Sequence, residues 1–169
     1  MRAESELLTT RLQLRRFETK DARDLFEVLA GKDVLKYFPP MPSPSLALAK
    51  KMIERIGEQW EADGYGLWAV ESRDTAGLLG RCGFQYLPET KEVEIDYILG
   101  PEHWGRGFAS EAASAVLQHG LDDLGFTRVI GIVHPENLSS KGVLKKIGMT
   151  FDVQAEYFGM LMDRYLVER

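Results

Sequence analysis

Residues 92–112 read EVEIDYILGPEHWGRGFASEA. The first eight alternate in character. Glu94, Asp96 and Ile98 fall on one face of a strand, and Val93, Ile95, Tyr97 and Leu99 on the other. A short loop follows, then Gly105-Arg106-Gly107, then a helix expected to start at Ala109–Ser110. Such a junction makes an anion site. Gly105 and Gly107 free the backbone to turn its N–H groups inward, with Trp104 and Phe108 flanking them. The helix start adds unpaired N–H groups and a positive dipole end, and Arg106 adds a full charge. A pyrophosphate suits that arrangement.

Gly-x-Gly has competing readings. A dinucleotide-binding fingerprint places its first glycine directly after the strand and a third glycine three residues past the second. Here Pro101 to Trp104 intervene, and the third position is Ser110. A Walker A loop requires Gly-Lys-Ser/Thr, which is absent. A bare glycine turn without a ligand remains open on these residues alone.

The pattern extends in both directions. Ser110–Leu124 reads as a helix with Ala113, Val116, Leu117, Leu121 and Leu124 inward, and Arg128–Val133 as a β-branched strand. Strand, helix, strand is a βαβ unit, so strands 92–99 and 128–133 should run parallel. Upstream, Gly66–Val70, Leu78–Tyr86 and Glu92–Leu99 are joined by short turns and form an antiparallel meander. Farther upstream, Arg11–Phe17 alternates as a strand, and Thr19 caps a helix with the stripe Ala22, Leu25, Phe26 and Leu29. Phe38 to Pro44 holds four prolines in seven residues. Ser43-Pro44 then reads as the cap and first turn of a helix carrying Ala49, Ile53, Ile56 and Trp60, ended by Asp63-Gly64. Downstream, a helix from Leu138 to Ile147 closes on Gly148, and strands follow near 151–157 and 160–167. The sum is a single α/β (α+β) domain over 1–169, with about seven strands in one mixed sheet and about four helices.

Composition narrows the function classes. At 169 residues the chain suits one domain, and a net charge of −5 argues against non-specific binding to nucleic acid or anionic membrane. One cysteine, Cys82, cannot form an internal disulfide and reads as a buried, inert thiol. The first ten residues lack the apolar run of a signal peptide, and no stretch could span a bilayer, so a soluble cytoplasmic protein is expected. His103, His119 and His134 lack metal-ligand spacing, and no metal is expected.

Three segments carry a family resemblance. Trp104–Ala112, WGRGFASEA, resembles the coenzyme A pyrophosphate loop of the GCN5-related N-acetyltransferases, with Gly107 and Ala109 at its small positions. Trp104 replaces the leading Gln/Arg, as in the RimJ/RimL-like branch. Thr9–Phe17, TTRLQLRRF, is similar to that branch's opening strand. His134–Met149, HPENLSSKGVLKKIGM, is similar to its Asn-x-x-Ser helix, matching at Asn137, Ser140, Lys146 and Gly148. The resemblance implies that strand 92–99 splays from its parallel neighbour to admit acetyl-coenzyme A. Backbone groups near Ile98 and Leu99 would then pair with the pantetheine arm. Residues 104–109 would hold the pyrophosphate, and Asn137 would bond the pantetheine.

The chemistry sets its own demands. An amine attacks a thioester only when neutral. An α-amine, with a pKa of roughly 8, needs little help at neutral pH, whereas a lysine at roughly 10.4 needs a base. Glu94 and Asp96 are the candidate bases, Glu94 at the place where the family often has its acidic residue and Asp96 also toward the acceptor; a solvated polar strand face is the competing account. The family's usual acid is a tyrosine seven residues past the asparagine, but Leu144 stands there, which leaves Ser140 as the nearest hydroxyl. Tyr37, Phe38 and Trp68 are candidates for the acceptor wall. The expected activity is acetyl transfer from acetyl-coenzyme A to a primary amine, a protein N-terminus or a small molecule, by a monomer or homodimer. The rival is a catalytically idle relative that senses acyl-coenzyme A.

Overall fold

The computed structural model describes residues 6–169. The reading of the first ten residues for a leader therefore lies partly outside the described range. Strands β1 (Glu6–Leu8) and β2 (Leu12–Arg15) open the chain, followed by helices α1 (Ala22–Leu29) and α2 (Leu46–Asp63). The meander β3 (Leu67–Ser72), β4 (Leu78–Leu87) and β5 (Glu92–Leu99) leads into α3 (Phe108–Asp122) and β6 (Arg128–Val133). Helix α4 (Leu138–Lys146) and strands β7 (Thr150–Tyr157) and β8 (Met160–Glu168) complete it. No helix among the described residues is long and apolar enough to cross a membrane.

The eight strands form one sheet in the order β1-β2-β3-β4-β5-β6-β8-β7. One strand more than expected is present. β1 is three residues, Glu-Leu-Leu, too short to show alternation, and it pairs Leu7 with Leu14 at the sheet edge. Every neighbouring pair is antiparallel except β5 and β6. β5 is held along its whole length by β4, from Glu92 opposite Leu87 to Leu99 opposite Gly80. Its parallel partnership with β6 is registered at one point, Glu94 opposite Ile130. A side chain at Gly80 would collide with the Ile98 carbonyl, so the absent Cβ permits the close approach of β4 and β5.

Two layers cover the sheet. Under α3, Phe108, Ala112, Ala113 and Val116 pack on Trp68, Val70, Phe84, Ile95 and Leu99. Under α1 and α2, Leu25, Leu29, Ala49 and Ile53 pack on Ala69, Leu78 and Ile98. The expected stripe of α2 is the buried one, and Gly64 ends that helix in the left-handed conformation at φ 75°. The helix starts differ from expectation. Ser45, not Ser43, caps α2 by accepting from Leu48 N–H at 3.0 Å, which leaves Pro44 outside the helix. The first helical turn opens with a 3₁₀ segment over Thr19–Asp21, where Glu18 and Asp21 form a reciprocal capping box in place of Thr19. Helix α3 starts at Phe108 instead of Ala109–Ser110, because Gly107 at φ 81° supplies the turn into it.

Trp68 is fully buried. Its ring lies edge-on to Trp60 at 4.9 Å and to His119 at 5.6 Å, beneath α3. Trp68→Phe should therefore cost about 1–3 kcal/mol of stability through lost packing. Chemical denaturation should show that loss, while the KM of any acceptor stays unchanged.

Candidate active site

The turn into α3 gathers features that suit an anion. Gly105 at φ 71° and Gly107 at φ 81° both adopt the left-handed conformation that side chains disfavour. The first hydrogen bond of α3 runs from Glu111 N–H to the Gly107 carbonyl at 3.0 Å. The N–H groups of Phe108, Ala109 and Ser110 precede it and lie at the helix's positive end. Two guanidinium groups flank them. Arg106 lies 4.8 Å and Arg11 4.3 Å from the centre of the Phe108 ring, on which both stack. Arg11 also donates to the Arg106 carbonyl at 2.9 Å and to Glu111 Oε2 at 2.7 Å, which ties β2 to the loop. Sequence reading missed Arg11, since nothing local signals a partner almost a hundred residues away.

The strand before the loop opens the site. Gly100 N–H bonds the Leu79 carbonyl at 2.9 Å. An antiparallel ladder alternates in direction, so Leu99 and Tyr97 turn their backbone polar groups away from β4, toward β6, and Ile98 turns its own toward Arg81 on β4. The Leu99 carbonyl accepts from the Trp104 indole at 2.9 Å, which leaves the Leu99 N–H as the donor facing the gap. Of the expected pair Ile98 and Leu99, only Leu99 can therefore offer backbone groups there, and Tyr97 takes the place of Ile98. The side chain of Ile98 lines the cavity instead.

A cavity of about 310 Å³ lies where β5 and β6 part. Glu94, Asp96, Tyr97, Asn137, Ser140 and Tyr37 all contribute to its wall. The two carboxylates differ. Asp96 accepts from Arg81 at 2.9 Å and from Gln85 at 2.9 Å, so its charge is matched. No side-chain hydrogen bond to Glu94 is found among the described residues. Burial first, and then the neighbouring Asp96 charge, push its carboxyl well above the ordinary range; Arg81 and the Ile132 backbone pull less strongly the other way. Glu94 is half-buried and lines the cavity, so it is not part of a fully solvated strand face. Across the gap, the Tyr97 phenol and the Ser140 hydroxyl stand 2.8 Å apart. Burial pushes that phenol upward, so it is protonated at neutral pH. Asn137 caps α4, its side-chain oxygen accepting from Ser140 N–H at 3.2 Å.

A family model described as "Acetyltransferase (GNAT) domain" matches residues 11–150. The chain belongs to the GNAT acetyltransferases. It is 34% identical over 143 residues to the N-acetyltransferase YoaA of Bacillus subtilis, covering 84% of this chain and 81% of that one. The crystal structure of an acetyltransferase from Agrobacterium tumefaciens superposes with a TM-score of 0.83 at 24% identity, covering 97% and 94% of the two chains. The RimL ribosomal L7/L12 alpha-N-protein acetyltransferase, solved with coenzyme A, superposes at 0.79 and 19% identity, covering 96% of each.

Seen as a GNAT domain, the site gathers most of the residues singled out in the sequence and leaves some aside. Trp68 is a core residue and does not line the cavity, so it drops out of the acceptor wall. Tyr37 remains in that wall and stacks on His134 at 5.1 Å. His119 is buried against Asp123 at 2.8 Å, and His103 lies beside Glu102 at 3.3 Å. No cluster of metal-ligating groups occurs among the described residues. Cys82 is buried, and burial raises its thiol, in keeping with an inert core cysteine. Tyr97 went unnoticed because its position in the strand pattern assigned it to the core face. The splay at β5 turns that position into the wall of the gap.

Three substitutions probe this geometry. A Cβ at Gly107 would sit 3.3 Å from the Arg11 guanidinium in a conformation that valine resists. Gly107→Val should abolish coenzyme A binding in calorimetry while circular dichroism shows the fold retained. Tyr97→Phe should lower turnover about three- to tenfold, with coenzyme A affinity unchanged, by removing the partner that orients Ser140. Ser140→Ala should cost no more than the low end of the ~10²–10⁴-fold range of general acid catalysis.

Proposed function

We infer that this GNAT domain transfers an acetyl group from acetyl-coenzyme A to a primary amine by direct attack within a ternary complex. The observation that supports it most is the β5–β6 gap, which joins a helix start suited to an anion to a cavity holding a carboxylate with no side-chain partner among the described residues. The residues present fit coenzyme A. Two left-handed glycines, the leading N–H groups of α3 and the Arg106 guanidinium suit a pyrophosphate, with Arg11 beside them. The Tyr97 backbone suits an amide-bearing arm, and Asn137 lies on the same cavity wall. The cosubstrate supplies an activated thioester, so no metal is called upon.

The chain's own groups divide the remaining tasks. Glu94 accepts the proton that the amine must lose, directly or through water. Its raised pKa brings it nearer to that of an α-amine than an ordinary carboxylate would be. The Leu99 N–H is a fixed donor for negative charge developing on the carbonyl oxygen. Ser140, oriented by Tyr97, offers a hydroxyl to the departing sulfur. The acceptor is a protein N-terminal α-amine, whose free-base fraction at neutral pH is already appreciable, or a small-molecule amine, whose lysine-like pKa makes the base at Glu94 count for more.

Thiol release measured across an amine panel tests this. Glu94→Gln should lower the rate about 10²–10⁴-fold for lysine-like amines and much less for α-amines. Coenzyme A binding without release on any amine would mark the chain as an idle sensor. Activity should rise with pH as Glu94 ionises, and that limb should vanish in Glu94→Gln. Stability should move oppositely. A carboxyl raised on folding holds its proton in the native state, so stability falls as pH rises from the unfolded pKa of about 4.3 through the raised native one. Glu94→Gln should remove that decline, and denaturation at pH 4 and pH 8 would read it.

A further inference from the structure

The acceptor end of the cavity has a chemistry of its own. Away from the gap its wall is apolar: Leu35, Phe38, Pro39, Met41, Met52 and Phe158. The ionisable groups that face it are few. Asp96 is matched by Arg81, His134 is stacked on Tyr37, and the Tyr97 phenol bonds Ser140. Glu94 is the one carboxylate of the wall without a side-chain partner among the described residues. A polycation would need a second unmatched carboxylate, and the other carboxylate of the wall, Asp96, is already held by Arg81 and Gln85.

Phe158 adds an independent observation. It occupies the first turn position of the β7–β8 hairpin, ahead of Gly159, and both residues have positive φ, 54° and 74°. That turn favours Asn-Gly, and a bulky side chain in its first place is conformationally costly. Phe158 is also 49% exposed, and Met41 is 36% exposed, both on the cavity wall. An exposed aromatic ring held in a disfavoured turn position contributes little to folding. Its place beside the acceptor end gives it something to contact.

We propose that the acceptor is a monoamine carrying an apolar or aromatic body, seated between the residue 35–41 segment and Phe158, with its one nitrogen toward Glu94. This rests on the acetyltransferase reading and goes beyond it by naming the substrate class. Burying an aromatic body is worth roughly tenfold or more in selectivity over an amine that cannot use the apolar wall.

The experiment measures kcat/KM for acetyl transfer to 2-phenylethylamine and to spermidine, in wild type and Phe158→Asn. Calorimetry of both amines on the coenzyme A-saturated protein accompanies it. Wild type should prefer 2-phenylethylamine at least about tenfold. Phe158→Asn should lose about three- to tenfold of that preference while its melting temperature holds or rises, because asparagine suits the turn. Equal or better use of spermidine, or a ratio untouched in Phe158→Asn, overturns the substrate class and leaves the transferase reading intact. Tighter binding of 2-phenylethylamine with no transfer to any amine overturns the transferase reading and keeps the class. Tighter binding of spermidine overturns the class whether or not transfer occurs.

Discussion

One incomplete strand pairing organises this protein. β5 is committed to β4 at every residue, and β6 is equally committed to β8, yet β5 and β6 meet in register only at Glu94 and Ile130. A parallel strand that leaves its neighbour exposes unpaired N–H and carbonyl groups in the middle of a sheet. Those groups are costly unless something bonds them. The fold therefore contains a demand for a ligand with amide-like groups. Trp104 meets part of it by donating to the Leu99 carbonyl, and the loop that carries Trp104 is the same loop that presents Gly105 and Gly107. Gap and anion site are thus mechanically one unit, fastened to the sheet edge through Arg11 and Glu111.

The same divergence sets the electrostatics. Because β6 separates from β5 beyond residue 94, the side chains of Glu94 and Asp96 face an enclosed cavity and not solvent. Two carboxylates so placed cannot both remain charged without help. Arg81, buried on β4, stabilises the charge on Asp96 and leaves Glu94 to bear the cost of burial. That asymmetry leaves Asp96 in an ion pair and gives Glu94 the raised carboxyl that its proposed role as proton acceptor calls for. A site in which both were salt-bridged would hold an amine without deprotonating it.

Much of this was legible in the sequence because it is local. Glycines before a helix, the stripe of α2, Asn137 ahead of α4 and Gly148 at φ 96° after it all depend on residues within a few positions of one another. The βαβ order also fixed which strands run parallel. What escaped was set by tertiary packing. Trp68 reads as an acceptor aromatic until Trp60 and His119 are seen to enclose it. Tyr97 takes the backbone role expected of Ile98 because ladder phase depends on β4, which strand alternation alone does not reveal. Ser45 in place of Ser43 is a two-residue choice between adjacent caps, decided by which serine reaches a free N–H.

The missing phenol on α4 follows from packing as well. Leu144 is buried against β6, where a Cβ on Gly131 would lie 2.7 Å from its Cδ2. Glycine below and leucine above form one fitted contact, and a tyrosine has no room there without displacing the strand. The hydroxyl at this site instead reaches the gap from the opposite side, as Tyr97 on β5 meeting Ser140 on α4. Its burial decides what it can do. A thiolate has an ordinary pKa of about 8.5, and a phenol raised above its usual value does not yield a proton to it. The Tyr97 phenol therefore keeps its proton and meets Ser140 at both its backbone carbonyl, 3.2 Å, and its hydroxyl, 2.8 Å, which on the proposed reading holds that hydroxyl beside a departing sulfur. On the proposed reading, acid catalysis in this chain is reduced to hydrogen bonding. A good leaving group makes that sufficient, and the proposed proton acceptor, Glu94, stands at the point where the strands part.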